Sequence, residues 1–156
     1  MESFEVQNGD NLITTDSSRL DVDVIYGYLN QSYWAAGIPR HIVEKSIDNS
    51  LCFGVFCQQA QVGFARLVTD KATFAYLADV FILPEHRGKG LSKWLMEVIH
   101  SHPELQTLRR WMLATRDAHG LYSQFGWIPL TEDSAKTIML VPNPDVYKRM
   151  NAQAEK

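Results

Sequence analysis

The sequence predicts an α/β domain built on a mixed, mainly antiparallel central sheet with helices on both faces. Three observations predict it. Apolar residues recur at helical spacing in two early stretches, residues 22–33 and 39–49; three apolar runs joined by short polar turns follow, as in an antiparallel meander; and the remainder runs strand, turn, helix, strand, helix, strand. At 156 residues, 46% of them hydrophobic, the chain has enough apolar side chains to bury one core, and residues 1–156 read as a single domain.

The elements follow in order. Residues 4–15 carry Asn8 and Gly9, a hairpin dipeptide, between two mildly apolar runs, and predict a first strand near residues 12–15. Ser18 or Asp21 supplies the cap of the next helix, in which Val22, Ile25, Tyr26, Leu29 and Tyr33 fall at helical spacing before Gly37. Pro39 opens a second helix reaching Asn49, with Ile42, Val43 and Ile47 as its apolar positions. Leu51–Cys57, residues 61–69 and residues 73–83 read as consecutive strands. A helix over residues 88–100 turns Leu91, Leu95, Val98 and Ile99 inward and is ended by Pro103. Residues 110–115 are a further strand, a tyrosine-bearing helix capped by Asp117 follows, and residues 137–141 close the sheet. The polar tail from Asn143, with its proline, predicts a loosely held end.

Composition narrows the function. A net charge of −3 argues against a general nucleic-acid binder, whose affinity rests on a basic surface. Cys52 and Cys57 lie on one predicted strand, facing opposite sides about 16 Å apart, too far for a disulfide, and read as small hydrophobes in a reducing compartment. With no signal pattern and no apolar run of membrane-spanning length, the expectation is a cytoplasmic protein with no membrane partner. The histidines at 41, 86, 100, 102 and 119 match no zinc spacing; His100 and His102 read as an exposed helix end, and no metal is implied.

Residues 79–94 carry the chemistry: an apolar strand runs into a basic, glycine-bearing turn that opens a helix. A helix start has unpaired N–H groups and the positive end of a dipole, and Gly88 and Gly90 remove side chains that would block a phosphate. Arg87, Lys89 and Lys93 add positive charge. An ordinary strand-turn-helix junction with a solvated basic face is the plain alternative, but strand, turn, cations and helix agree on a diphosphate-bearing ligand. The turn lacks the four-residue gap and Lys-Ser/Thr ending of a P-loop and the third glycine of a dinucleotide fingerprint, so ATP and NAD are not the first choices.

The segment resembles the coenzyme motif of the GNAT superfamily of N-acetyltransferases, Arg/Gln-x-x-Gly-x-Gly/Ala, with Arg87, Gly90 and Ser92 at its three positions; Ser92 departs from the usual small apolar residue. Residues 118–127, where Tyr122 precedes Gly126 and Trp127, resemble the family's later segment, and the likeness covers about residues 12 to 140. It implies a sheet whose two central strands splay apart around an acyl thioester, with acetyl-CoA as co-substrate and an amine as acceptor. Backbone amides of Val80, Phe81 and Ile82 would pair with the pantetheine arm and the acetyl oxygen, an oxyanion-type stabilisation that side chains do not reveal. Amides of Gly88, Lys89, Gly90, Leu91, Ser92 and Lys93 would hold the pyrophosphate, and Thr115, where relatives often carry asparagine, would touch pantetheine.

Tyr122 falls where the family commonly places its general acid, a phenol of pKa ~10 able to protonate a thiolate, or else is an aromatic anchor beside Leu121 and Phe125. Asp79 shares a strand face with Leu77 and Phe81 and reads either as the base or as the partner of Arg66 in an ion pair, with a water relay serving as base. The acceptor pocket falls to residues 28–40, where Tyr33 and Trp34 can contact substrate. The reading is an acetyl-CoA-dependent N-acetyltransferase acting on a primary amine of a small molecule or peptide; the alternatives are a non-catalytic acyl-CoA-binding regulatory module and a binder of another phosphate ligand. A homodimer is left open.

Overall fold

In the computed structural model, which describes residues 2–156, the chain forms two compact units that meet in sequence between Ala114 and Thr115. The first contains a six-stranded sheet with strands in chain order: β1 (Glu5–Asn8), β2 (Asn11–Thr14), β3 (Leu51–Cys57), β4 (Ala60–Thr69), β5 (Phe74–Ile82) and β6 (Arg110–Leu113). Every neighbouring pair is antiparallel except β5 and β6, which run parallel.

The hairpin turns follow from backbone conformation. Asn8 pairs with Asn11, so the first loop is Gly9 and Asp10, one residue later than the dipeptide suggests, with glycine at the first central position and φ +60°. The β3–β4 loop is Gln58 and Gln59, at φ +48° and +73°. Both residues of such a tight turn need positive φ, and two glutamines fill it without the asparagine and glycine that usually announce it.

Helices α1 (Val22–Asn30), α2 (Arg40–Asp48) and α3 (Leu91–Ser101) belong to the same unit. Asp21 caps α1, accepting from Val24 N–H at 3.3 Å, and Ile25 and Leu29 are buried from it. α2 begins after Pro39 and buries Val43 and Ile47. α3 buries Leu91, Leu95, Met96, Val98 and Ile99. Phe53 on β3 meets the His102 ring at 5.8 Å, just beyond α3. Gly54 turns to the other face, where an added Cβ would lie 2.8 Å from Leu20 Cδ2. On that second face Tyr28 of α1 stacks on Phe81 of β5 at 4.1 Å. Helical segments therefore cover both faces, and the core of Ile13, Phe53, Phe64, Leu67, Leu95 and Met96 lies against the sheet.

The second unit holds three helices, α4 (His119–Ser123), α5 (Glu132–Ala135) and α6 (Val146–Ala154). The strand expected at residues 137–141 does not form, and Met139, Leu140 and Val141 are exposed. A capping box between Thr131 and Ser134 commits the preceding residues to α5, and Pro142 brings no N–H to a ladder. Beyond the prolines the tail is helical, as α6. The expected exposed helix end is also corrected: His102 is 4% exposed, its ring packed against Phe4 and Phe53 and its Nδ1 accepting from Glu104 N–H. Among the described residues no helix is long and apolar enough to cross a membrane.

Candidate active site

The site starts from an irregularity in β5. Arg66 pairs with Ala78 and Phe64 with Phe81, so Ala65 faces two residues, Asp79 and Val80. This is a β-bulge, with Asp79 at φ +57° in the position such bulges usually give to glycine. The left-handed conformation costs an L-residue roughly 1–2 kcal/mol, and aspartate is among the side chains that accept it best. The bulge shifts the strand's alternation, so Phe81 shares a face with Ala78 and lies opposite to Leu77; the expected shared face of Leu77, Asp79 and Phe81 is thereby corrected.

The Asp79 side chain is 9% exposed and fully engaged: Oδ2 accepts from Arg66 Nε at 2.8 Å and Oδ1 from Trp34 Nε1 at 2.9 Å. Arg66 also donates to Ser50 Oγ at 3.1 Å. Of the two sequence readings of Asp79, the ion pair with Arg66 is present in the structure. Next to it Cys52, paired with Arg66 across the β3–β4 ladder, is buried, and burial pushes its thiol up to about 12. A thiol held protonated is no nucleophile at neutral pH.

β6 ends opposite Leu77, so residues 78–82 of β5 have no strand on that side among the described residues. Leu83 N–H bonds to Val62 on the β4 side, and strand alternation therefore turns the Ile82 peptide groups to the open edge. There the Ile82 carbonyl accepts from Arg87 Nε at 2.9 Å. Arg87 also donates to the Tyr28 hydroxyl at 2.9 Å, so its side chain ties the turn back onto strand and helix. Tyr28 in turn stacks on Phe81, and no local signal announces the Arg87–Tyr28 bond across 59 residues.

From Arg87 the chain enters the turn. Gly88 and Gly90 have φ +76° and +78°, and an added Cβ at either would meet nothing within 4 Å. Their glycines are therefore required by backbone conformation, and the space beside them is open. Gly90 is the N-cap of α3 and offers no capping side chain; the amides of residues 88–93 make no hydrogen bond within the described protein. Leu91 is buried and anchors the helix start, Ser92 is half-buried, and Lys89 and Lys93 are exposed, with no ion pair to either among the described residues. Free amides, the positive end of the helix dipole and two free ammonium groups fit a phosphate-bearing ligand.

Around Asp79 lies an aromatic group. Trp34, 40% exposed, is edge-on to Tyr33 at 5.0 Å and 6.1 Å from Tyr28, and Tyr33 is 46% exposed. The second unit carries the remaining predicted residues. Tyr122 is buried on α4, its ring 6.0 Å from that of Trp127. Thr115 Oγ1 accepts from Ala118 N–H at 3.1 Å and Asp117 N–H at 3.4 Å. The capping bond expected of Asp117 is absent: the N-cap of α4 is Ala118, without a side-chain cap, and the Thr115 hydroxyl instead closes the turn that leads into the helix. Among the described residues no three of His, Cys, Asp and Glu come together as metal ligands.

Known proteins share this sequence pattern and this fold. Residues 48–129 match the family described as acetyltransferase (GNAT) domain. A Gibberella zeae protein named a putative acetyltransferase is 33% identical over 137 residues, covering 74% of this chain and 77% of that protein. The crystal structure of a Xanthomonas campestris protein, named a putative acetyltransferase of the GNAT family, superposes with a TM-score of 0.84 at 49% identity, covering 88% of this chain and 96% of that one. A GNAT-family acetyltransferase from Streptococcus pneumoniae shares the fold at a TM-score of 0.60 and 21% identity, over 80% of this chain and 93% of that one. The chain belongs to the GNAT family of acetyl-CoA-dependent acetyltransferases.

Proposed function

We propose that this enzyme moves the acetyl group of acetyl-CoA to a primary amine of a small molecule or peptide in the cytoplasm, by direct attack in a ternary complex, with residues 1–156 acting as one catalytic domain. The observation that carries the reading is the open edge of β5 running directly into the unbonded amides of residues 88–93. A strand edge suits the amide-bearing pantetheine arm, and the cradle suits the pyrophosphate that precedes it. On this reading amides among Val80, Phe81 and Ile82 take the pantetheine and the acetyl oxygen, Thr115 adds a hydroxyl contact, and Tyr33 and Trp34 line the acceptor side.

The neutral amine attacks the thioester carbonyl carbon; the C–N bond forms, the C–S bond breaks, and Tyr122 gives its phenolic proton to the departing thiolate. The surplus proton of the amine leaves to water or to Asp79, and the Tyr122 phenolate takes a proton back from solvent, which closes the cycle. Because both Asp79 oxygens already accept hydrogen bonds, from Arg66 and Trp34, water is the better first acceptor. The Cys52 thiol, pushed up to about 12 by burial, offers no covalent relay.

A panel of primary amines, followed by thiol release from acetyl-CoA, tests the reading. Turnover with at least one amine is expected, and Tyr122→Phe should lower it by about 10²-fold while leaving acetyl-CoA affinity unchanged. Tight acetyl-CoA binding with no turnover across the panel would sink the transferase assignment to amines, and full activity in Tyr122→Phe would remove the acid.

A further inference from the structure

The bulge in β5 holds an L-residue at φ +57°, and both side-chain oxygens of that residue are clamped from outside the strand. Arg66 reaches it from β4 and is itself fixed by Ser50; Trp34 reaches it from the connection between α1 and α2, 45 residues away. We propose that Arg66 and Trp34 are positioning residues for acetyl transfer: by clamping the Asp79 carboxylate they keep the bulge in its left-handed form, and so aim the backbone amides of the open β5 edge at the acetyl carbonyl.

The inference rests on the reading that acetyl-CoA lies along that edge. It assigns Asp79 a backbone task that its charge serves indirectly. An isolated buried carboxylate is unfavourable, so loss of Arg66 leaves Asp79 every reason to rotate out, and the bulge relaxes with it. Glycine at position 79 takes the left-handed conformation unaided and leaves no carboxylate to compensate. The clamp should then be dispensable.

The test uses the full chain and acetyl-CoA carrying an isotope label at the acetyl carbonyl. Infrared difference spectra of the bound thioester read how strongly the carbonyl is polarised, and native-state hydrogen exchange at Phe81, which strand alternation turns toward β4 like Leu83, reads the bulge without any coenzyme. In the wild type the carbonyl band should lie below its free position. Arg66→Met should lose more than about half of that displacement and speed exchange at the Phe81 amide by about tenfold, and Trp34→Phe, which removes one bond at an exposed site, should do both to a smaller degree. Arg66→Met combined with Asp79→Gly should regain both wild-type values.

An unmoved band and unchanged exchange in a folded Arg66→Met or Trp34→Phe, or no recovery in the double variant, would overturn the inference. A wild type that binds no acetyl-CoA would refute the function instead; the exchange measurements would still decide the clamp.

Discussion

Replacing Gly90 by glutamate perturbs the cradle in two separable ways. At φ +78° any L-residue is strained by roughly 1–2 kcal/mol, a cost that falls on folding and is the same for alanine and glutamate. The Cβ itself meets nothing within 4 Å, so no clash adds to it. The second effect falls on binding alone. A carboxylate ~6 Å from a diphosphate bearing about two negative charges repels it by roughly 1.4–2.8 kcal/mol for an effective dielectric constant of about 80 to 40. That is about 10- to 100-fold in Kd. Calorimetric titration of CoA into wild type, Gly90→Ala and Gly90→Glu, alongside urea unfolding, separates the two. Both variants should lose similar stability, Gly90→Ala should bind within a few-fold of wild type, and Gly90→Glu should carry the full penalty. The gap between them should narrow with salt, as the screening length contracts from about 10 Å at 0.1 M to about 3 Å at 1 M. Equal CoA affinity in folded Gly90→Ala and Gly90→Glu would refute the placement of a diphosphate at this turn.

Two further predictions concern stability. Placing asparagine and glycine at Gln58 and Gln59, where both φ values are positive, should raise stability by roughly 1 kcal/mol in urea unfolding; an unchanged midpoint would count against the tight-turn reading. Burial holds the His102 and His100 imidazoles below their ordinary range, so the unfolded chain takes up protons first as pH falls through about 6.5. The stability they contribute is therefore present above that pH and lost as pH drops toward the folded values. The urea midpoint should fall across that window, and His102→Asn, which keeps an acceptor for Glu104 N–H, should flatten the fall; an identical slope in the variant would show that His102 takes no part.

The helices, the meander and the glycine turn were legible because each is encoded over a few neighbouring residues. Ile25 and Leu29, or Val43 and Ile47, announce a buried helix face by their spacing alone. Gly88 and Gly90 announce a special backbone, and the structure gives its reason in two positive φ values. The same local logic misjudged residues 137–141, where apolar composition suggested a strand but a capping box and proline decide otherwise. It also placed a cap at Asp117, whereas α4 starts from Ala118 with no side-chain cap and the Thr115 hydroxyl holds the turn before it, a choice that only the backbone path makes.

By itself, then, the sequence determined most of the order of elements as far as β6, the family and the glycine-bearing turn at Gly88 and Gly90, all carried by short-range periodicity, turn chemistry and motif spacing. The tertiary structure alone decided the bulge at Asp79, the clamp on it by Arg66 and Trp34, the tie from Arg87 to Tyr28 and the burial of His102. The physical reason is register: which residues of β4 face which of β5, and which side chain crosses from a loop 45 positions away, are set by the packing of the whole sheet.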